Sequence, residues 1–208
     1  MVWKDNVSYN LIPFKTNFFF PLAYCVIQGR TVQTFDNVTY QLPPIDSKCE
    51  FVIAKDSSPE HVFLVTGKSQ NDKVDLTIFL HNKFKIELLK DKTVKLNGNP
   101  LNVKKTEPYV HVQKVGPREI ELFSITSNSV YTHVQAGKFG LHVISDGSGY
   151  GLQVTRYFTG KVSGLCGDNN RDGNNEWRGA NGKVYKNSNS FANSYLIPLD
   201  GCTPTITE

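Results

Sequence analysis

The most distinctive chemistry in the sequence lies in an Asp- and Asn-rich run that follows the third cysteine, at residues 166–176. Asp168, Asn170 and Asp172 are spaced two residues apart, and Gly173 follows at once. Calcium takes about six to eight oxygen ligands, so side-chain oxygens alternating with backbone carbonyls can curl around the ion. The glycine permits the sharp turn that such a curl needs. This spacing predicts a calcium-binding loop.

The loop does not have the pattern of an EF-hand. The bidentate Glu of an EF-hand should stand at position twelve, which is Gly179 here, and neither flank has helical periodicity. Asn175 or Glu176 could instead close a tighter shell around the ion. One alternative stays open from the residues alone, because Asn, Asp and Gly also build ordinary loops that hold no ion.

Patterns typical of enzymes are absent from the sequence, which has no G-x-S-x-G, no H-E-x-x-H and no phosphate-binding glycine loop. The histidines are scattered through strand-like runs, where a β-residue is more common than a ligand; they are His61, His81, His111, His133 and His142. We therefore expect a protein that is not an enzyme.

The cysteines point to an oxidising compartment. There are four, at positions 25, 49, 166 and 202, and no C-x-x-C pair, which disfavours zinc ribbons and thioredoxin-like redox sites. An even number of widely spaced cysteines favours two structural disulfides, and counting alone leaves three pairings open. The sequons at Asn6 and Asn37 are candidate glycosylation sites and also fit a secreted, extracellular protein.

The rest of the chain predicts an all-β fold. Short apolar runs with period-two alternation are separated by turn residues, which is typical of an antiparallel β-sandwich of many short strands. Residues 159–190 are rich in Gly, Asn and Asp and predict a structured loop, and residues 191–196 predict a short helical turn near the C-terminus. The predicted strands are 50–54, 61–66, 74–80, 83–89, 94–96, 101–103, 109–115, 119–125, 130–135, 141–144 and 152–158.

The charge pattern argues against a nucleic-acid partner. The formal net charge is only +4, and lysines alternate with apolar residues, as expected on the solvated face of a strand. Binding of polyanions by a lysine-rich hairpin is a weaker alternative, whose residues are Lys90, Lys92, Lys95, Lys104 and Lys105.

Residues 1–22 are rich in aromatic side chains and show no regular pattern. They are interpreted as a leader or linker from a longer parent chain, since no signal peptide is visible.

Four ordered segments of this sequence resemble a von Willebrand factor type D domain. They are residues 29–40 after Cys25, residues 49–56, residues 162–168, and residues 191–195 followed by Cys202. The resemblance covers residues 23–202 and leaves 203–208 as a tail. Within this family the sequence resembles the type D module of an insect vitellogenin, a large egg-yolk lipoprotein precursor. Mucin and clotting-factor members of the family carry many more cysteines, which puts disulfide-linked multimers in doubt here.

The resemblance implies a calcium site whose ligands come from two distant parts of the chain. Asp36 would supply one carboxylate, Asp168 and Asn170 side-chain oxygens, and Asp172 its backbone carbonyl, while Asn175 and Glu176 close the shell. Family members commonly have Asn then Asp where this chain has Asp168 and Asn170, so the charge is swapped and not lost. Glu176 replaces a common Asp and reaches one methylene further.

The resemblance also implies the disulfides Cys25–Cys166 and Cys49–Cys202. The first would pin the strand that holds Asp36 beside the loop at 168–176, so that disulfide and ion stabilise the same corner. A glycan on Asn37 would crowd the ion, which makes Asn6 the better acceptor. Thr34 and Phe35 are expected to be strand and core residues.

The function implied by the resemblance is non-catalytic. The chain would be a calcium-binding module of a secreted lipid-transport and yolk-storage lipoprotein, found in haemolymph or yolk. Its partners would be other domains of the parent chain, a cell-surface receptor, and the lipid that the parent carries. The alternative from a different class is an adhesion or multimer-forming module of an extracellular matrix or mucin-like protein.

Overall fold

The computed structural model describes residues 23–44, 48–70, 73–104 and 106–202, without the side chains of residues 69, 70 and 73. Sixteen strands run through these residues. In chain order they are β1 (Ala23–Gln28), β2 (Thr31–Gln33), β3 (Thr39–Gln41), β4 (Glu50–Asp56), β5 (Phe63–Gln70), β6 (Lys73–Leu80), β7 (Phe84–Leu88), β8 (Val94–Leu96), β9 (Asn99–Leu101), β10 (Tyr109–Val115), β11 (Arg118–Ser127), β12 (Thr132–Ala136), β13 (Leu141–Ser145), β14 (Gly149–Val154), β15 (Val162–Ser163) and β16 (Leu196–Ile197).

The strands form two eight-stranded sheets, and every described pairing is antiparallel. Sheet A has the order β10-β11-β12-β13-β14-β1-β2-β3. Sheet B has the order β15-β4-β5-β6-β7-β8-β9, and β16 also pairs with β4. The prediction of an all-β antiparallel fold with two sheets is confirmed.

Side chains from both sheets pack into a single core. The alternation of apolar and polar residues turns every second side chain inward, as period-two strands require. Sheet B contributes Ile78 and Ile86, sheet A contributes Ile125 and Leu152, and all four are at most 1% exposed. Burial of each such side chain contributes roughly 1.5–3 kcal/mol to folding. This shared core holds the two sheets face to face.

The strands predicted at 94–96 and 101–103 form a hairpin that is tighter than these bounds imply. Asn97 and Gly98 have φ values of 50° and 83°, and Leu96 pairs directly with Asn99. Positive φ at both central residues is the signature of a two-residue type I′ turn. The returning strand therefore begins at Asn99 and not at residue 101. Pro100 is tolerated within it because β9 is an edge strand of sheet B.

Two predicted elements in the C-terminal half of the chain have different bounds in the structure. The strand predicted at 152–158 ends at Val154, and Arg156–Phe158 form a 3-10 turn. This turn lets Phe158 reach the core, where its ring lies 5.0 Å from that of Phe63. The helix predicted at 191–196 is α1 (Ser188–Asn193), because the Asn187 side chain accepts the Ser190 N–H and starts the helix earlier.

Some predictions concern residues that the structure does not describe, and three strands of the structure were not predicted. The leader at 1–22, its sequon Asn6 and the tail at 203–208 fall in the parts that are not described. The predicted strands start at residue 50 and miss β1–β3, of which β2 and β3 have only three residues each. Among the described helices, none is long and apolar enough to cross a membrane.

Two disulfides close long loops across the fold. Cys25 in β1 is bonded to Cys166, with their Cα atoms 5.6 Å apart, and Cys49 is bonded to Cys202 at 4.9 Å. These are the pairs that the resemblance implies. The first joins the middle of sheet A to the start of the acidic loop. The second joins the start of β4 to the C-terminal end of the described chain.

The two disulfides are expected to differ in their effect on the acidic loop. The sequence separations of 141 and 153 residues each correspond to about 5 kcal/mol at most in the chain-entropy model. Replacing either pair with alanine should therefore lower the free energy of unfolding, measured by urea denaturation, by a similar amount. Only the Cys25→Ala/Cys166→Ala variant should also weaken calcium binding in calorimetry. Equal calcium affinity in the two double variants would contradict this.

Candidate metal centre

Asp36 lies in the tight turn between β2 and β3, so the expectation that it lies on a strand is wrong. The turn is closed by the Thr34 N–H, which donates to the Val38 carbonyl at 2.9 Å, and by the Asn37 N–H, which donates to the Thr34 carbonyl at 3.1 Å. Asn37 adopts a φ of 64°, which takes the chain out of the extended conformation. The turn presents the Asp36 side chain at the end of the hairpin.

Backbone hydrogen bonds join this turn to the acidic loop. The Phe35 N–H donates to the Cys166 carbonyl at 2.9 Å, next to the disulfide. The Asn170 and Arg171 N–H groups donate to the two oxygens of the Asp36 carboxylate, at 3.1 and 2.7 Å. Residues more than 130 positions apart in sequence are thus held in one cluster. The structure places Asp36 beside the loop, as the resemblance implies.

Three carboxylates meet at this corner. Asp36, Asp168 and Glu176 each offer an oxygen, and these oxygens lie within 4.8 Å of one another. Asp36 and Asp168 are half-buried, and Glu176 is only 2% exposed. Both Glu176 carboxylate oxygens are buried and have no hydrogen-bond partner among the described residues. A buried carboxylate without a partner is costly unless a cation neutralises it.

The electrostatics of the corner raise two pKa values. Burial raises the pKa of Glu176 to about 7, with further increases from the Asp36 and Asp168 charges; the nearby Thr34 hydroxyl offsets part of this. Burial and the neighbouring Asp36 charge also raise the pKa of Asp168. No described ion pair includes these three carboxylates. A positive charge placed among these three carboxylates would therefore be strongly stabilised.

A glycine makes room for the buried carboxylate. A Cβ on Gly167 would stand 1.7 Å from Glu176 Oε1, and the φ of Gly167 is 80°, which also favours glycine. Sequence reasoning did not single out Gly167 for this role. The available signal was its place between Cys166 and Asp168, where the chain must turn from the disulfide into the loop.

The remaining predicted ligands form a hydrogen-bonded shell next to the carboxylates. The Asn170 amide nitrogen donates to Asp168 Oδ2 and to Asn175 Oδ1, both at 2.9 Å. The Asp172 side chain accepts the Asn174 N–H at 3.0 Å and caps the 3-10 turn Gly173–Asn175. The Asp172 backbone carbonyl accepts the Asn175 N–H at 3.4 Å, and its second lone pair is the group that Asp172 can offer an ion.

The donor set is chemically suited to a hard cation. The three groups of the acidic cluster are carboxylates, and the cluster includes no histidine or cysteine. Oxygen-only sets favour calcium or magnesium over zinc, and a mixed set of carboxylate, amide and carbonyl oxygens is typical of calcium. The unpartnered oxygens of Glu176 fit the same kind of ion.

The other candidate residues from the sequence lie elsewhere. Among the described residues no histidine belongs to a cluster able to hold a metal. His111 stacks on Phe123 with ring centroids 5.0 Å apart. In the lysine-rich region, Lys104 lies 3.4 Å from the Glu107 carboxylate and Lys95 is paired with Glu87 across two strands, so carboxylates interrupt any basic patch. Lys105 falls outside the described residues.

Thr34 and Phe35 are core residues, as expected, but they follow β2 and are not part of it. Thr34 is fully buried and its hydroxyl accepts the Val38 N–H at 3.2 Å. Asn37 is exposed, and its amide oxygen accepts a hydrogen bond from the Gln33 side chain at 3.0 Å. Glycosylation of Asn37 stays a prediction.

Comparison with known sequences identifies the family of this chain. The family model of the von Willebrand factor type D domain matches residues 25–183, from the first disulfide cysteine through the acidic loop. The chain belongs to this family. The match covers most of the domain predicted at 23–202 and ends before α1.

Several relatives of this type D domain are vitellogenins. It is 27% identical over 183 residues to vitellogenin-6 of Oscheius tipulae and 26% identical over 182 residues to vitellogenin-1 of Fundulus heteroclitus, covering 86% of the chain in each case. It is 22% identical over 200 residues, or 95% of the chain, to the apolipophorins of Drosophila melanogaster. The chain spans 10% of the two vitellogenins and 5% of the apolipophorins.

In the metal-free type D domain, the stability that Glu176 contributes is expected to be lost as pH rises. The pKa of Glu176 in the folded state is about 7 against an ordinary value of 4.5, so the folded state binds the extra proton. This contribution is fully present below about pH 4.5 and is lost as pH rises through about 7. In excess chelator, the contribution of Glu176 to the free energy of unfolding should fall by up to about 3 kcal/mol over this window.

Glu176→Gln is the matched control, since glutamine does not titrate. The difference in unfolding free energy between the type D domain and this variant, measured in chelator from pH 4.5 to 8, isolates Glu176 from histidines such as His133, whose pKa is lowered to about 4. A difference that stays constant with pH would show that Glu176 does not carry this dependence.

Gly167→Ala should disrupt the centre without removing any proposed ligand. The added methyl group would occupy the position of the Glu176 carboxylate and impose an unfavourable φ. We expect a loss of at least tenfold in calcium affinity by calorimetry. Gly182→Ala is the control, since Gly182 also has a positive φ of 77° but its Cβ would meet no atom within 4 Å. Comparable losses in the two variants would mean that backbone strain alone is responsible.

Proposed function

We propose that this type D domain is a calcium-stabilised, non-catalytic module of a secreted lipid-transport and yolk-storage lipoprotein. The observation that carries the calcium part is the buried Glu176 carboxylate, whose two oxygens have no hydrogen-bond partner in the part of the chain that the structure describes and which lies beside Asp36 and Asp168. A divalent cation would replace the mutual repulsion of these groups with attraction.

The proposed ion would act as a structural clamp. Carboxylate oxygens of Asp36, Asp168 and Glu176 would hold it, with Asn170, Asn175 and the Asp172 carbonyl completing the shell of six to eight oxygens that calcium prefers. Asp36 belongs to the hairpin of β2 and β3, whereas the other groups belong to the loop after β15. The ion would thus join two parts of the chain that Cys25–Cys166 already links covalently.

The parent and the compartment are proposed from the relatives and the disulfides. Relatives named as vitellogenins and apolipophorins are much longer than this chain, which fits a module within a large lipoprotein. Two disulfides fit a secreted protein in an oxidising environment. The proposed partners are other domains of the parent, a cell-surface receptor and the lipid that the parent carries.

The adhesion or multimer-forming alternative receives less support. The four cysteines of the sequence are all used in the two disulfides within the chain, and no free cysteine remains. A disulfide-linked multimer would therefore have to break one of these bonds. A role in stabilising one module, with contacts inside its parent, agrees better with this pairing.

Calcium is expected to raise the melting temperature of the isolated domain. An ion present at 100 times its Kd contributes about 2.7 kcal/mol, which corresponds to about 5–10 °C for a protein of this size. The measurement is differential scanning calorimetry at pH 7.5, with chelator or with increasing calcium. Asp36→Asn, Asp168→Asn and Glu176→Gln should each remove most of the increase.

Asp200→Asn is the matched control, because Asp200 is an exposed carboxylate away from the cluster. Its response to calcium should equal that of the unchanged protein. The calcium proposal fails if the melting temperature does not respond to calcium or chelator. It also fails if Asp200→Asn lowers the response as much as the three cluster variants do.

A further inference from the structure

The two sheets present very different faces to the solvent. Outward positions of the central strands of sheet B carry charges of both signs, namely Lys55, Lys68, Asp75, Lys85, Glu87 and Lys95. Neighbouring strands place opposite charges side by side: Lys68 pairs with Asp75, and Glu87 with Lys95. This is the composition expected of a face that stays in water.

Six of the eight strands of sheet A carry no such charges on their outward face, and the charged residues of this sheet lie on β10 and β11. No Asp, Glu, Lys or Arg occupies an outward position of β1, β2, β3, β12, β13 or β14. We call the outward side chains of the four adjacent strands β12, β13, β14 and β1 the neutral face; its centre is formed by Tyr24, Val26, His133, His142, Ile144 and Gln153. In a protein with 20% charged residues, an uncharged face of this extent is unusual.

The two histidines do not add charge at neutral pH. Burial lowers the pKa of His133 to about 4, with a further contribution from His142, and burial also lowers the pKa of His142. Their rings lie 6.1 Å apart on the adjacent strands β12 and β13. Meanwhile Tyr24 and Val26 are 46% and 42% exposed on β1. The face therefore combines exposed apolar groups with neutral polar groups.

The face is large enough for a domain interface. Strands about 4.8 Å apart and about 17 Å long give roughly 330 Å² across the four strands of the neutral face, so about 650 Å² would be buried when both partners are counted. Interfaces between domains of one chain bury about 600–1,500 Å² in total. Apolar exposure continues at the β10 edge, where Val110 and Ile120 are 41% and 36% exposed. Depletion of charge at the centre is what distinguishes such interfaces from free surface.

We propose that the neutral face is the surface through which this domain packs against another domain of its own polypeptide. The proposal rests on the proposed function, in which the chain is one module of a long parent. Its relatives have about nine-tenths of their length outside the matched region, so a partner within the same chain is available to them. An uncharged face can pack against a neutral protein surface without removing any charged group from water.

The polar groups on the face favour protein over lipid as the partner. Gln135 and Gln153 point outward beside the histidines, and the Gln153 amide donates to the Tyr24 hydroxyl at 2.9 Å. A side-chain amide has two donors and two acceptor lone pairs, which a protein surface can satisfy. Hydrocarbon offers no such partner, and each unsatisfied group costs free energy there.

Hydroxyl-radical footprinting tests the proposal with side chains that the domain already has. The reactivity of Tyr24 is measured in the isolated domain and in the lipid-free full-length polypeptide. We expect it to be at least fivefold lower in the full-length protein, while Phe79, on the outward face of sheet B, changes little. Equal reactivity of Tyr24 in the two proteins, or an equal loss at Tyr24 and Phe79, overturns the proposal.

Two substitutions sharpen the test. Val26→Lys places a charge on the neutral face, and Thr77→Lys places one on the outward face of sheet B. Both isolated variants should melt within a few degrees of the unchanged domain, since both side chains point outward. In the full-length protein, Val26→Lys should return the reactivity of Tyr24 to its isolated level, whereas Thr77→Lys should not.

Other occupants of the face give different results. Protection of Tyr24 only when the full-length protein carries lipid would identify a lipid surface and overturn the proposal. Protection that grows with concentration in the isolated domain would identify a second copy and overturn it as well. Failure of the calcium proposal is seen separately, in the melting of the isolated domain, and leaves the Tyr24 result unaffected.

Discussion

Three carboxylates share one corner of this sandwich, and the surrounding structure has to offset their mutual repulsion. Asp36 is held by two backbone N–H donors from the loop, which offsets part of the cost of its charge. Glu176 has no such donors and is the most buried of the three. The tight turn of the β2–β3 hairpin, the absence of a side chain at Gly167 and the Cys25–Cys166 bond all keep these groups together. None of these features supplies positive charge, which explains why the corner fits a cation.

The fold was predictable to the extent that it depends on alternation and turns. Strands such as β8 and β10 have the predicted bounds, because apolar periodicity and flanking turn residues define them locally. Bounds that depend on tertiary contacts were wrong. Phe158 belongs to a 3-10 turn because it reaches Phe63, and no local pattern indicates that contact.

The candidate site was predictable only in part from the residues themselves. The spacing of Asp168, Asn170 and Asp172 indicated a cation loop, but no spacing could bring in Asp36 from the other end of the chain. Only the resemblance to the von Willebrand factor type D family indicated that Asp36 belongs to the site. The burial of Glu176 and the need for Gly167 were also beyond sequence reasoning, because both follow from how the loop packs against Thr34 and the hairpin.

The disulfides also determine how the domain would respond to tension between residues 25 and 202. The force would not pass through β4–β15, since Cys25–Cys166 and Cys49–Cys202 offer two covalent routes around these strands, one through β1–β3 and one through β16. The shorter route is the stretch from Cys25 to Cys49, which can extend to about 80 Å at most. Strands β4–β15 would stay off both routes, apart from their ends. Mechanically, the domain would act as a short tether with a limited length, even if its core were to melt.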